Sequence, residues 1–195
     1  MHMPPLETER LIIRPFVMDD LDGIFAILDV ELAEADFGSA HAATREQRAQ
    51  WLRWSTMNYE QLARLYQPPY GDRAITLRSG ELIGACGYVQ CLGPFERVLS
   101  PDPASRNQDC RFTTELGLFY ALSPRHQRHG YATEAARAMM DYARRGLGLE
   151  RIVATTTYDN AASIRVMQKL GMRVEKNPQA DPPWFQVVGI FDCRG

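Results

Sequence analysis

Between Phe112 and Asp192 the chain alternates between apolar runs of strand length and segments of helical period. Phe112 to Leu122 reads as a strand, Gly130 to Arg145 as a helix and Arg151 to Thr157 as a strand. Asn160 to Leu170 follows as a helix, with Met172 to Glu175 and Phe185 to Asp192 as strands. A strand, a helix and a strand at this spacing imply a right-handed crossover joining parallel strands. The chain is therefore expected to build a mixed α/β domain around one sheet.

The first half adds to that sheet. Leu11 to Phe16 reads as a strand closed by Pro15, and Met18-Asp19-Asp20 opens a helical pattern with Leu21, Ile24, Phe25 and Leu28 on one face. A second helix is expected from Thr44 to Leu65, with Thr44 as N-cap and Gln47 at capping-box spacing. Pro68-Pro69-Tyr70-Gly71 breaks it. Arg73 to Leu77 and Leu82 to Val89 then read as two strands about a Ser79-Gly80 turn. Residues 91–110, with Gly93, Pro94, Pro101 and Pro103, read as a long loop inside the domain.

With 195 residues, 45% of them hydrophobic and 24% charged, the chain suits one soluble domain with a sizeable core. A net charge of −2 gives no reason to expect nucleic acid or an anionic membrane as partner. No run of about 18 apolar residues is present, so no membrane span is expected. Met1 to Glu9 lacks the apolar core of a signal peptide. Cys86, Cys91, Cys110 and Cys193 show no CxxC spacing, and with His2, His41, His126 and His129 they form no zinc pattern. Reduced thiols, a cytoplasmic location and no metal are the expectation.

Ser123 to Ala132 joins a strand directly to a helix. Gly130 and Ala132 are small where backbone must come close to a ligand, and N–H groups of a first helical turn point along the axis at the positive end of its dipole. Such a turn suits a pyrophosphate. Arg125, His126, Arg128 and His129 add local positive charge. The helix that follows carries Ala132, Ala135, Ala136, Met139 and Ala143 as an apolar stripe. By itself this pattern also fits an ordinary strand-to-helix turn with surface charge.

Gln127-Arg128-His129-Gly130-Tyr131-Ala132 resembles the acetyl-CoA signature Gln/Arg-x-x-Gly-x-Gly/Ala of the GNAT superfamily of N-acetyltransferases. Tyr131 to Ala135 continues as in the group that contains the ribosomal-protein N-terminal acetyltransferases. Thr8 to Pro15 is similar to that group's opening strand, and Asn160 to Met172 to its closing helix and strand. Arg128 stands where the family often has a further glycine. The resemblance implies one domain over residues 1–195 and an α/β fold of about six to seven mostly antiparallel strands with about four helices. A central parallel pair would splay at the acetyl-CoA site. A monomer or homodimer is expected, with the choice between them open.

The resemblance places the acetyl-CoA contacts at Leu118, Phe119, Tyr120, Gln127, Arg128, His129, Gly130, Tyr131, Ala132, Thr133, Asn160 and Ser163. The strand Glu115 to Leu122 would lie along the pantetheine arm and pair with its amides through the backbone. Gly117 fits a bulge or a close approach. The implied chemistry is attack of a neutral amine on a thioester, which needs a proton acceptor, directly or through water. Backbone N–H groups of the splayed strand would stabilise the oxyanion. Glu115 matches a carboxylate at the start of this strand and is the candidate base, although the same residue fits a solvated strand end. Many relatives carry a tyrosine four residues before the glycine that ends the last helix. Here that residue is Met167, which has no proton to donate. Ser163 is the candidate donor to the leaving sulfur, with Asn160 both capping the helix and orienting the arm. Tyr120, Tyr131 and Tyr158 are further candidate donors, although aromatic residues near strands are more often core.

The acceptor amine is left open between a protein N-terminus and a small polyamine or aminoglycoside. Residues 30–70 and 91–110 would shape its pocket, with Trp51, Trp54, Tyr59, Tyr66, Tyr70 and Phe95 as aromatic surface and Glu31, Glu34, Asp36 and Glu46 as charge. A non-catalytic acyl-CoA-binding module is the alternative to an enzyme. Glu115, Asn160 and Ser163 together favour the enzyme, and the missing tyrosine favours the module.

Overall fold

A computed structural model of the chain describes residues 2–33, 42–95, 98 and 112–193. These fall in two compact units, one of residues 1–89 and 119–142 and one of residues 90–118 and 143–195.

The first unit begins with β1 (Leu6–Glu7), β2 (Leu11–Arg14), β3 (Gly71–Leu77) and most of β4 (Leu82–Gly93), each antiparallel to the next. In β2 the alternate residues Leu11 and Ile13 are fully buried, the two-residue period of a strand with one face on a core. The strand stops at Arg14, before the expected Phe16, because Pro15 has no N–H to give a ladder. Gly84 of β4 is required by close packing, since a Cβ there would sit 2.2 Å from the Ala121 carbonyl oxygen.

Helices pack on this part of the sheet. Residues 18–20 make a 3-10 turn, α1 spans Leu21–Phe25, and Ala26–Glu31 continue as π-helix. The turn is fixed by Asp20, which accepts the Val17 N–H at 2.9 Å and two Arg14 guanidinium bonds at 2.7 Å each. Helix α2 (Arg45–Arg64) starts at the expected capping box: Thr44 Oγ1 accepts the Gln47 N–H at 3.2 Å, and Gln47 Oε1 accepts the Thr44 N–H at 2.8 Å. Phe16, Ile24, Ile27, Leu28, Leu52, Ala74, Ala85 and Ala121 form the core between these elements. The unit closes with the end of β5 (Thr113–Leu122) and most of α3 (Tyr131–Arg145), whose Ala135, Ala136 and Met139 are fully buried as the apolar stripe requires.

The second unit takes the start of β5 with β6 (Arg151–Thr156), β7 (Arg173–Lys176) and β8 (Val187–Asp192), in the order β5-β6-β8-β7. β6 and β7 both run antiparallel to β8, and β5 runs parallel to β6. Helix α4 (Ala161–Lys169) joins β6 to β7. Its core holds Phe95, Val98, Val153, Phe185, Val188 and Ile190.

Among the described residues, four α-helices and the central parallel pair agree with expectation. The strands among the described residues number eight, not six to seven, and the additional one is the two-residue β1. The loop also begins later than residue 91, because β4 continues to Gly93. The expectations for Glu34, Asp36, His41, Pro101, Pro103 and Cys110 lie outside the described residues.

Candidate active site

In the first unit the strand β5 ends at Leu122 and a 3-10 turn, Pro124–His126, leads to the start of α3. Two residues of this connection have left-handed backbone, Arg128 at φ 64° and Gly130 at φ 84°. Gly130 is therefore needed for its conformation, and Arg128 carries a strain that glycine would not. The first intrahelical bond runs from Glu134 N–H to Gly130 O at 3.0 Å. The N–H groups of Tyr131, Ala132 and Thr133 precede it and form the donor crown of the helix. His129 stacks on Tyr131, with ring centroids 5.8 Å apart, and its Nδ1 lies 2.7 Å from Gln127 O. The Gln127 side chain turns back, donating to Leu122 O at 3.1 Å, so toward a ligand it presents backbone. A crown of N–H groups with Arg128 and His129 beside it fits the pyrophosphate of a nucleotide-like ligand.

A contact that the motifs do not advertise steadies this turn. Glu134 accepts the Thr8 hydroxyl at 2.6 Å, the Arg10 N–H at 2.9 Å and Arg10 Nε at 2.7 Å. Arg10 also donates to His129 O at 3.0 Å and lies over the Tyr131 ring at 4.6 Å. Burial pushes the Glu134 carboxyl up, but the bonds from Thr8 and Arg10 and the Arg10 charge outweigh it and hold the carboxyl below its ordinary range. The opening strand thus braces the crown.

In the second unit β5 and β6 meet in a single parallel register among the described residues, Gly117 opposite Val153. Glu115 precedes that point by two residues. Its side chain is only 14% exposed and its Oε1 lies 3.2 Å from Arg151 Nη1, while Arg151 Nε lies 3.4 Å from Asp192. Burial raises the Glu115 carboxyl, Arg151 pulls it down and Asp192 pushes it up again, leaving it above the ordinary range. Such a carboxylate is a stronger base than an exposed one. Burial also raises the Cys91 thiol, with a backbone hydrogen bond at Gly117 opposing and the Glu115 charge adding. Cys91 and Arg151, neither expected at the site, are thus neighbours of the candidate base.

On α4, Asn160 Oδ1 accepts the Ser163 N–H at 3.0 Å, the cap expected of it, and Ser163 is half-buried. Met167, one turn on, is fully buried. A Cβ at Gly189 would come within 2.9 Å of its sulfur, so the thioether packs on β8 as core. The Tyr158 hydroxyl donates to Asn177 O, which commits it away from proton transfer. Of the expected acceptor aromatics, Phe95 is core of the second unit and Trp51 packs edge-on against Phe16, whereas Trp54 and Tyr66 are exposed. Glu31 is paired with Arg125 at 2.7 Å. Among the described residues no group of three or more His, Cys, Asp or Glu is placed to hold a metal. No described helix is long and apolar enough to cross a membrane.

Residues 10–173 match the family described as "Acetyltransferase (GNAT) domain". The chain belongs to the GNAT acetyltransferases.

The Bacillus subtilis (strain 168) protein named "Uncharacterized N-acetyltransferase YoaA" is 30% identical over 174 residues, covering 88% of this chain and 84% of its own. Among solved structures, the GNAT acetyltransferase from Bacillus anthracis superposes with a TM-score of 0.70 at 19% identity, covering 98% and 99% of the two chains. RimL, named as a ribosomal L7/L12 α-N-protein acetyltransferase in complex with coenzyme A, gives a TM-score of 0.64 at 14% identity over 95% of each chain. The resemblance to this superfamily is therefore established at the level of family, and the likeness to RimL at the level of fold. As a GNAT member the chain is an acetyl-CoA-dependent N-acetyltransferase.

Proposed function

We propose that the chain acetylates a primary amine, either a protein N-terminus or a small-molecule amine, by direct attack of the amine while acetyl-CoA is bound. Acetyl-CoA supplies the acetyl group as a thioester: the nitrogen–carbon bond forms, the carbon–sulfur bond breaks, the amine loses a proton and the thiolate gains one. Gly130 to Thr133, with Arg128 and His129, hold the pyrophosphate through backbone N–H groups and positive charge. Leu118, Phe119 and Tyr120 offer their backbone to the pantetheine amides. Asn160 orients the arm through its side-chain amide N–H₂ while its side-chain carbonyl caps α4.

Glu115 accepts the amine proton, directly or through one water, and Ser163 donates to the departing sulfur. What carries this reading is the half-buried Glu115, raised in pKa and held by Arg151 two residues before the parallel register at Gly117. Burial of Met167 supports Ser163 over residue 167 as the donor. In this reading all 195 residues work as one cytoplasmic N-acetyltransferase domain.

The test is Glu115→Gln with a panel of amines and peptides, read by free CoA release and by acetyl-CoA binding. Binding should persist while turnover falls by ~10²–10⁴. Unchanged turnover would remove Glu115 from the chemistry. Binding without turnover of any amine by the wild type would favour a non-catalytic acyl-CoA-binding module.

A further inference from the structure

Arg73 of β3 is the largest fully buried side chain among the described residues, at 1% exposure. Its Nη2 donates to Pro4 O at 2.8 Å and to Met3 O at 3.4 Å, and its guanidinium carbon lies 5.6 Å from the centre of the Tyr59 ring. Among the described residues, Nε and Nη1 have no hydrogen-bond partner. No carboxylate among the described residues forms an ion pair with it, although the Asp72 charge reaches the neighbouring Tyr59 and Cys86. The groups that act on it are Tyr59, Cys86, Tyr88 and Tyr142; burial pushes the Cys86 thiol up to about 12 and the Tyr59 phenol well above its ordinary value, so neither of these two carries a negative charge at pH 7. Asp72, the adjacent residue, is on the opposite face of the strand by the strand's two-residue period, and the charge that acts on it is that of Arg48.

A narrow pocket of about 10 Å³, open to solvent, lies beside this guanidinium and is lined by His2, Met3, Pro15, Tyr59, Pro69 and Arg73. A buried cation with unused donors and no counterion is costly, and it is retained where a partner of opposite charge can reach it. We propose that Arg73 binds a small monovalent inorganic anion of the size of chloride, held by Nε and Nη1 under the strap of residues 2–4. The charge of such an ion matches one guanidinium. Its weak hydration suits the Met, Pro and Tyr walls, whereas phosphate or sulfate would bring more charge than the pocket balances. The site lies wholly within the first unit and uses no residue assigned to acetyl transfer.

The experiment is thermal unfolding of the full chain in sodium chloride, exchanged for sodium gluconate at constant ionic strength. Gluconate is too large for the pocket, so Tm should rise by about 3–5 °C for each tenfold increase of chloride above its dissociation constant. Arg73→Met should abolish the response. No response in the wild type, or the same response in Arg73→Met, would overturn the site. Should Arg73→Met not fold, crystals of the wild type grown in sodium bromide decide: an anomalous peak within hydrogen-bond distance of Nε or Nη1 supports the site, and its absence rejects it.

Discussion

Glu134, in the first turn of α3, is bound by both the backbone and the side chain of Arg10, 124 residues earlier in the chain. The contact ties the edge of the first strands to the donor crown that precedes Glu134. Glu134→Gln should cost about 1–2 kcal/mol at pH 7, through loss of charge-assisted hydrogen bonds. The folded carboxyl is held low, so its contribution exists above the unfolded pKa and is lost as pH falls through the folded value. The gap between wild type and variant should therefore close progressively below about pH 4. Urea unfolding across pH measures it, and acetyl-CoA affinity should drop in the same variant.

Asp72 behaves with the opposite sign. Burial raises it to about 6, with Arg48 opposing. A raised carboxyl stabilises the fold below its unfolded pKa and loses that contribution as pH rises through about 6. Asp72→Asn should accordingly be more stable than wild type by about 1–2 kcal/mol at pH 8 and nearly equal to it at pH 4. A gain that is the same at both pH values would show that the carboxylate charge is not its source.

Arg128 occupies left-handed backbone at φ 64°, the region that favours glycine. Arg128→Gly relieves about 1 kcal/mol of native strain and adds freedom to the unfolded chain, so Tm should change little. Acetyl-CoA should bind more weakly, because one positive charge beside the crown is lost. Isothermal titration together with melting separates the two effects.

What the sequence disclosed follows from local physics. The Thr44–Gln47 capping box, the Asn160 cap and the stripe Ala135, Ala136 and Met139 are set by residues within one or two turns of each other, and all stand as expected. The π-helix at Ala26–Glu31 carries no side-chain signature that distinguishes it from α-helix. The extension of β4 to Gly93 is hidden because Gln90 and Leu92 are exposed and the apolar run had thinned. At the candidate site the cradle residues were legible as a strand-to-helix turn. Arg151 was not, because its meaning lies in Glu115, 36 residues away, and in Asp192. Phe95 was misplaced for the same reason: an aromatic in a polar loop gives no sign that Phe185 packs edge-on at 5.0 Å.

Met167 and Gly189 make a further testable pair. The methionine is fully buried, and even a Cβ at Gly189 would lie 2.9 Å from its sulfur. Met167→Tyr should destabilise by about 1–3 kcal/mol, through overpacking and a buried hydroxyl without a matched partner. It should not raise kcat. An increase in kcat measured by CoA release would mean that the tyrosine hydroxyl reaches the sulfur and that proton donation limits the wild type.

Arg151 and Asp192 should tune Glu115 in opposite directions. A general base acts when deprotonated, so the acidic limb of kcat/KM tracks the carboxyl pKa in the free enzyme. Burial raises that pKa, the Arg151 charge lowers it and the Asp192 charge raises it. Arg151→Gln removes the stabilising cation, so the limb should move to higher pH, with the plateau at alkaline pH nearer the wild-type value. Asp192→Asn removes a repelling anion, and the limb should move to lower pH. A merely structural role would alter the plateau or the melting temperature without moving the limb, and certainly not with opposite sign in the two variants. Acetyl-CoA binding should be retained in both, since neither residue belongs to the crown. If both limbs shift the same way, or neither shifts, the base that governs the profile is not Glu115.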